Sequence, residues 1–125
     1  MKIYTPISVG ELLDKISILQ IKSQHTSSEY VKKELEDLIE VAKKHQVYSE
    51  EYIQELLEVN KKLWDIEDEL RVIEKQQQDN KTFTFDETFI SLARSVYIAN
   101  DLRAKIKKQI NEKYNSYYRE VKVHK

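Results

Sequence analysis

The chain has 125 residues with one glycine, one proline and no cysteine, where a chain of this length averages about nine glycines and six prolines. Both residues mark turns, so their scarcity excludes sandwiches, barrels and doubly wound sheets, and one glycine cannot build a Gly-rich phosphate loop. Charged residues make up 34% and hydrophobic ones 40%, with a net charge of −1, a balance too apolar and too even for disorder.

The absence of cysteine removes disulfides, thiolate metal sites and cysteine nucleophiles. No apolar run reaches the length of a membrane span, and the N-terminus lacks a signal-peptide layout. The expectation is one all-α domain over residues 1–125, cytoplasmic, with no membrane segment and no cofactor.

The first helix is announced by Ser8-Val9-Gly10-Glu11, the Ser-x-x-Glu spacing of a capping box, with Ile7 and Leu12 placed as a hydrophobic staple. Its apolar period, Val9, Leu12, Leu13, Ile16, Leu19, runs to about residue 25. Thr26-Ser27-Ser28 then offers a break and a fresh cap for a second helix, about 28–45, carrying Val31, Leu35, Leu38 and Ala42. A single bent helix over 8–45 is the alternative. Ser49 caps a third helix, about 50–77, stapled by Tyr48 and Ile53. Asp86 caps a fourth, about 87–118, stapled by Phe85 and Ile90. Between them, residues 80–85 form a loop.

The third helix carries the strictest pattern. Tyr52, Leu56, Val59, Leu63, Ile66, Leu70 and Ile73 alternate steps of four and three, a coiled-coil seam. The fourth echoes it with Phe89, Leu92, Val96, Ala99, Arg103, Ile106 and Ile110, continuing to Tyr114, Tyr117 and Val121. The fold class is therefore an elongated antiparallel bundle of three to four helices built on a long helical hairpin. Ile53, Leu57 and Trp64 make a second apolar stripe on the third helix. The first helix or a second copy could cover it, which makes those three candidate interface residues and a homodimer the expected state.

Charge is uneven. Residues 29–74 hold 14 acids against 7 bases, and residues 101–125 hold 8 bases against 3 acids. A basic end with Tyr117 and Tyr118 among Lys105, Lys107, Lys108, Lys113, Arg119 and Lys122 suggests nucleic acid. The overall pI of about 6.3 and the seam role of Tyr114 and Tyr117 argue against it.

Paired carboxylates on facing helices can hold Mg²⁺, as in the all-helical nucleotide pyrophosphohydrolases, which resemble this chain in size and class. Glu11-Leu12-Leu13-Asp14 and Glu34-Leu35-Glu36-Asp37 fit their Glu-x-x-Asp motif. Glu50-Glu51-Tyr52-Ile53-Gln54 places Gln where the third acid of the other motif belongs. In so acidic a chain a solvated helix face is the plainer reading. His25, His45 and His124 are scattered without ligand spacing, so no metal site is expected.

Arg103 occupies a seam position where Leu or Ile belongs. A charge there requires a partner, and Glu11, Asp14, Glu67 and Asp68 are the candidates. The same residue could join Tyr97 and Asn100 around an anionic ligand. Gly10 lies beside free amides at a helix start, a possible anion site, or marks the close passage of another segment.

The run from Met1 to Leu19, with Pro6-Ile7-Ser8-Val9-Gly10-Glu11-Leu12-Leu13-Asp14-Lys15, resembles the opening of a family of small proteins of unknown function from proteobacteria, cyanobacteria and marine phages. The likeness extends to Leu63-Trp64-Asp65-Ile66-Glu67-Asp68 and Tyr97-Ile98-Ala99-Asn100-Asp101-Leu102-Arg103-Ala104. It implies no activity, cofactor or catalytic residue. The candidate polar cluster is Gly10, Glu11, Asp14, Lys15, Glu67, Asp68, Tyr97, Asn100, Asp101 and Arg103. The leading expectation is a non-enzymatic protein acting through protein–protein contacts. The runner-up is a binder of a phosphate-containing ligand, or a Mg-dependent pyrophosphohydrolase-like enzyme using acids of the first and third helices.

Overall fold

A computed structural model of the protein describes residues 1–79, 87–121 and 123. The expected Phe85–Asp86 staple and cap, the loop at residues 80–85, Lys122 and His124 lie outside the described residues. Among those described, the chain forms four helices and no strand: α1 (Val9–His25), α2 (Glu29–Lys44), α3 (Glu50–Asp79) and α4 (Glu87–Lys113).

Side-chain caps set the starts. Ser8 Oγ accepts from the Glu11 amide at 3.0 Å, Ser28 Oγ from Tyr30 at 3.2 Å, and Ser49 Oγ from Tyr52 at 3.3 Å. Each satisfies an amide that a helix start leaves without a partner. Between α1 and α2 the chain is broken, with Thr26 extended at φ −148°. Residues 8–45 are therefore two helices.

Two helix ends close without glycine. After α2, Gln46 takes a left-handed φ of 59°, its amide reaches Lys43 O, and the Val47 amide reaches Ala42 O at 2.9 Å. After α4, Asn115 takes φ 49°, its amide reaches Glu112 O, and the Ser116 amide reaches Asn111 O at 2.8 Å. Both are Schellman closures. The second corrects the expected span of α4 to residue 118: the helix stops at Lys113, and Tyr117 and Val121 are exposed rather than in the seam.

At 1.5 Å per residue α3 is about 45 Å long and α1 about 25 Å. The α3–α4 pair is antiparallel: the Lys113 ammonium sits 5.5 Å from the Tyr52 ring. Leu56, Val59, Leu63 and Ile66 of α3 are buried in the seam with Ala99, Ile106 and Ile110 of α4. α1 is the hub, packed against α2, α3 and α4, and contributes Leu12, Leu13 and Ile16 to the same core. The stripe beside the α3 seam faces α1. Ile53 is buried in the chain's own core, Asn60 bonds to α1, and half-buried Trp64 stacks on His25 with ring centroids 5.0 Å apart. Ile53 is therefore not an interface anchor, because the neighbour supplied within the chain covers it; Leu57 and Trp64 remain only half-buried.

Candidate functional site

The three free amides at the start of α1 are each taken by a side chain. Glu11 is held by Ser8, Val9 by Ser116 Oγ at 3.1 Å, and Gly10 by Asn111 Oδ1 at 2.7 Å. None of these three amides is open to an anion. Gly10 serves contact instead: a Cβ on it would meet Lys107 O at 2.7 Å and Asn111 Oδ1 at 3.0 Å. The backbones of α1 and α4 thus approach as only glycine allows. Asn111 is itself fully enclosed, and its Nδ2 has no acceptor among the described residues.

One turn further along α1, Asp14 is fully buried. Arg103 grips it side-on, Nε lying 3.0 Å from Oδ1 and 3.2 Å from Oδ2 while Nη2 donates to Oδ2. Asn60 Nδ2 donates to Asp14 Oδ1 at 2.9 Å and to Ser17 Oγ at 2.8 Å, and Ser17 in turn donates to Asp14 O. One buried carboxylate therefore ties α1, α3 and α4 together. The bond to Asp14, opposed by burial, holds the Arg103 guanidinium above its ordinary value. Beside this pair, Lys107 donates to Glu11 Oε2 at 3.0 Å and lies 3.4 Å from Glu120 Oε1. The Glu11 carboxylate thus goes to α4, completing only the Ser8 half of the capping box.

Arg103 and Lys107 form the floor of an open groove of about 400 Å³, lined also by Tyr97, Asn100, Ala104, Glu120 and Val121. The structure brings together Gly10, Glu11, Asp14, Tyr97, Asn100 and Arg103. It leaves out Lys15, which pairs with Glu34 at 3.8 Å, and Asp68, 3.9 Å from Arg71. Glu67 and Asp101 are exposed. Among the described residues no three His, Asp or Glu side chains converge as a metal requires.

Five participants were not singled out from the sequence: Ser17, Asn60, Asn111, Ser116 and Glu120. Asn60 carried a usable signal, since it interrupts the stripe of Ile53, Leu57 and Trp64 as Arg103 interrupts its seam. Glu120 carried none, because its place depends on the reversal at Asn115.

These features define a small all-α bundle pinned by an internal ion pair, with a polar groove beside it. The chain belongs to the DUF6165 family, a family of unknown function whose model matches residues 1–125. No curated protein and no solved structure matches the chain.

Proposed function

We propose that the protein works by protein–protein contact as a homodimer, paired through the outer face of α4. The observation that carries this reading is a stripe opposite the seam: Glu87, Ile90, Arg94, Ile98, Asp101, Lys105 and Lys108, spaced by threes and fours and exposed throughout. Ile90 and Ile98 flank a shallow trough floored by Ser91 and Ser95, and Leu102 adjoins it. Exposed apolar residues at helical spacing mark a contact face.

Charge supports a second copy as the occupant. Pair this face with itself, antiparallel, about a two-fold axis between Tyr97 and Ile98. Arg94 then meets Asp101 of the second copy, and Glu87 meets Lys108 of the second copy. Both opposite-charge pairs require the same register, and a two-fold axis forms each of them twice.

The enzymatic reading draws less support. Asp14 is already committed to Arg103, Glu11 is paired with Lys107, and Glu67 and Asp68 are exposed. Sedimentation equilibrium at micromolar concentration tests the proposal. The wild type should have the mass of a dimer and Ile98→Asp that of a monomer with unchanged helical circular dichroism. A monomeric wild type rejects it.

A further inference from the structure

The trough on the outer face of α4 has small residues at its floor and large ones at its rim. It encloses about 280 Å³, beside Ile90 and Ile98, which are 55% and 65% exposed. Ser91 and Ser95 stand one turn apart, and the Ser95 hydroxyl donates to Ser91 O at 2.9 Å. An apolar side chain laid over Ser95 would leave that hydroxyl bonded, so no donor is stranded. One turn beyond Ile98, Leu102 is 48% exposed and lies outside the chain's own core.

Helical geometry relates this leucine to the hollow. At about 100° per residue, and with Ile98 as the reference direction, Leu102 stands about 40° to one side. It falls midway between Ser91 at about 20° and Ser95 at about 60° on that same side. Arg94 and Asp101 stand about 40° and 60° to the other side. A two-fold axis normal to the plane of two antiparallel helices carries each flank onto the same flank of its mate. On one flank the serines of one copy therefore face the leucine of the second, while on the other Arg94 faces Asp101. Height agrees as well. From an axis between Tyr97 and Ile98, Leu102 and the midpoint of the two serines stand equally far in opposite directions, about 7 Å. The charge pairs set that axis without reference to Leu102, so the match is independent of them.

We propose that the trough is the socket for Leu102 of a second copy, filled twice by the two-fold axis. The inference rests on the dimer proposed above and adds the contact that sets its spacing. Serines let the two helices approach there, and the leucine fills the hollow they leave, a knob in a hole that fixes register.

Sedimentation equilibrium of the wild type and two variants tests the socket. Leu102→Ala empties both sockets and should weaken the dimer about a hundredfold, since each loss occurs twice. Ser95→Leu blocks both and should weaken it comparably, with helical circular dichroism unchanged in each. Mixing the two variants should then restore the mass of a dimer. In the mixed pair one socket is native, and the other has its leucine supplied from the socket's own side. General apolar adhesion predicts the reverse for Ser95→Leu, a larger apolar face and a tighter dimer. A tighter Ser95→Leu dimer, an unaffected Leu102→Ala dimer, or a mixture no heavier than its parents overturns the socket while the α4 dimer stands. A monomeric wild type removes both.

Discussion

Arg103 and Asp14 lie 89 positions apart in the chain, yet the guanidinium of one holds the carboxylate of the other with Nε and Nη2 together. The two members are not equally enclosed: Asp14 has no exposed surface, while the Arg103 side chain is 26% exposed. Losing the arginine therefore strands a charge, and losing the carboxylate leaves a cation that can still reach water. Arg103→Leu should cost about 3 kcal/mol and Asp14→Asn about half of that. The double variant should lose less than the sum of the two, about 2.5 kcal/mol, which is a coupling of about 2 kcal/mol in urea denaturation. Additive losses would mean that the pair does not act as a unit.

That relationship was half legible in the sequence. A charged residue on an otherwise apolar seam demands a partner, and Asp14 was among four candidates named on charge alone. Selecting it required the packing of α1 antiparallel to α4, which no local pattern encodes. Helix starts were legible because Ser8, Ser28 and Ser49 act through their own side chains on amides two or three residues away. The end of α4 was not, since Tyr114 and Tyr117 extend the apolar period past the true stop. There the chain reverses on Asn115, a residue that favours a left-handed backbone only weakly. The stripe of Ile53, Leu57 and Trp64 was read as open to two neighbours, and helical period alone cannot tell a neighbour within the chain from one outside it.

Gly10 makes a sharper test of packing than any larger residue. In an isolated helix Gly→Ala gains about 1 kcal/mol. Here the added carbon would sit 2.7 Å from a backbone carbonyl of α4, an atom that cannot rotate away. Gly10→Ala should therefore destabilise, by about 2 kcal/mol net. It should lower the urea midpoint without changing the slope.

The closure after α2 predicts the opposite sign. Gln46 holds φ 59°, where an L side chain meets its own backbone at a cost of about 1–2 kcal/mol. Glycine removes that strain and loses part of the gain to the entropy of the unfolded chain. Gln46→Gly should stabilise by about 0.5–1 kcal/mol, read as a rise in Tm. Asn115→Gly should gain less, because asparagine tolerates the conformation and Asn115 Oδ1 accepts from Arg119 Nη2 at 3.0 Å.

Tyr48 ties stability to alkaline pH. Burial, with the nearby Glu50 carboxylate as a smaller contributor, pushes its phenol above the ordinary value of 10.0. The folded protein then keeps the phenolic proton that the unfolded chain releases. Its contribution is intact below pH 10 and is lost as pH rises through the raised value. Other groups also titrate there, so the informative quantity is a difference. Between pH 9 and pH 11, Tyr48→Phe should lose less denaturation free energy than the wild type. Equal losses would assign the alkaline sensitivity elsewhere.

The outer face of α4 allows a test that separates register from mere stickiness. Arg94 and Asp101 stand symmetrically about the point between Tyr97 and Ile98, so in a two-fold antiparallel pair each faces the other's counterpart. Arg94→Asp places two acids together at both ends of the contact and should weaken the dimer by about tenfold or more. Asp101→Arg should do the same with two bases. Carried together, the two changes exchange the charges without altering their complementarity, and the dimer should return to near wild-type affinity in sedimentation equilibrium. An apolar contact indifferent to register would leave both single variants dimeric. A different register would leave the double variant as weak as its parents.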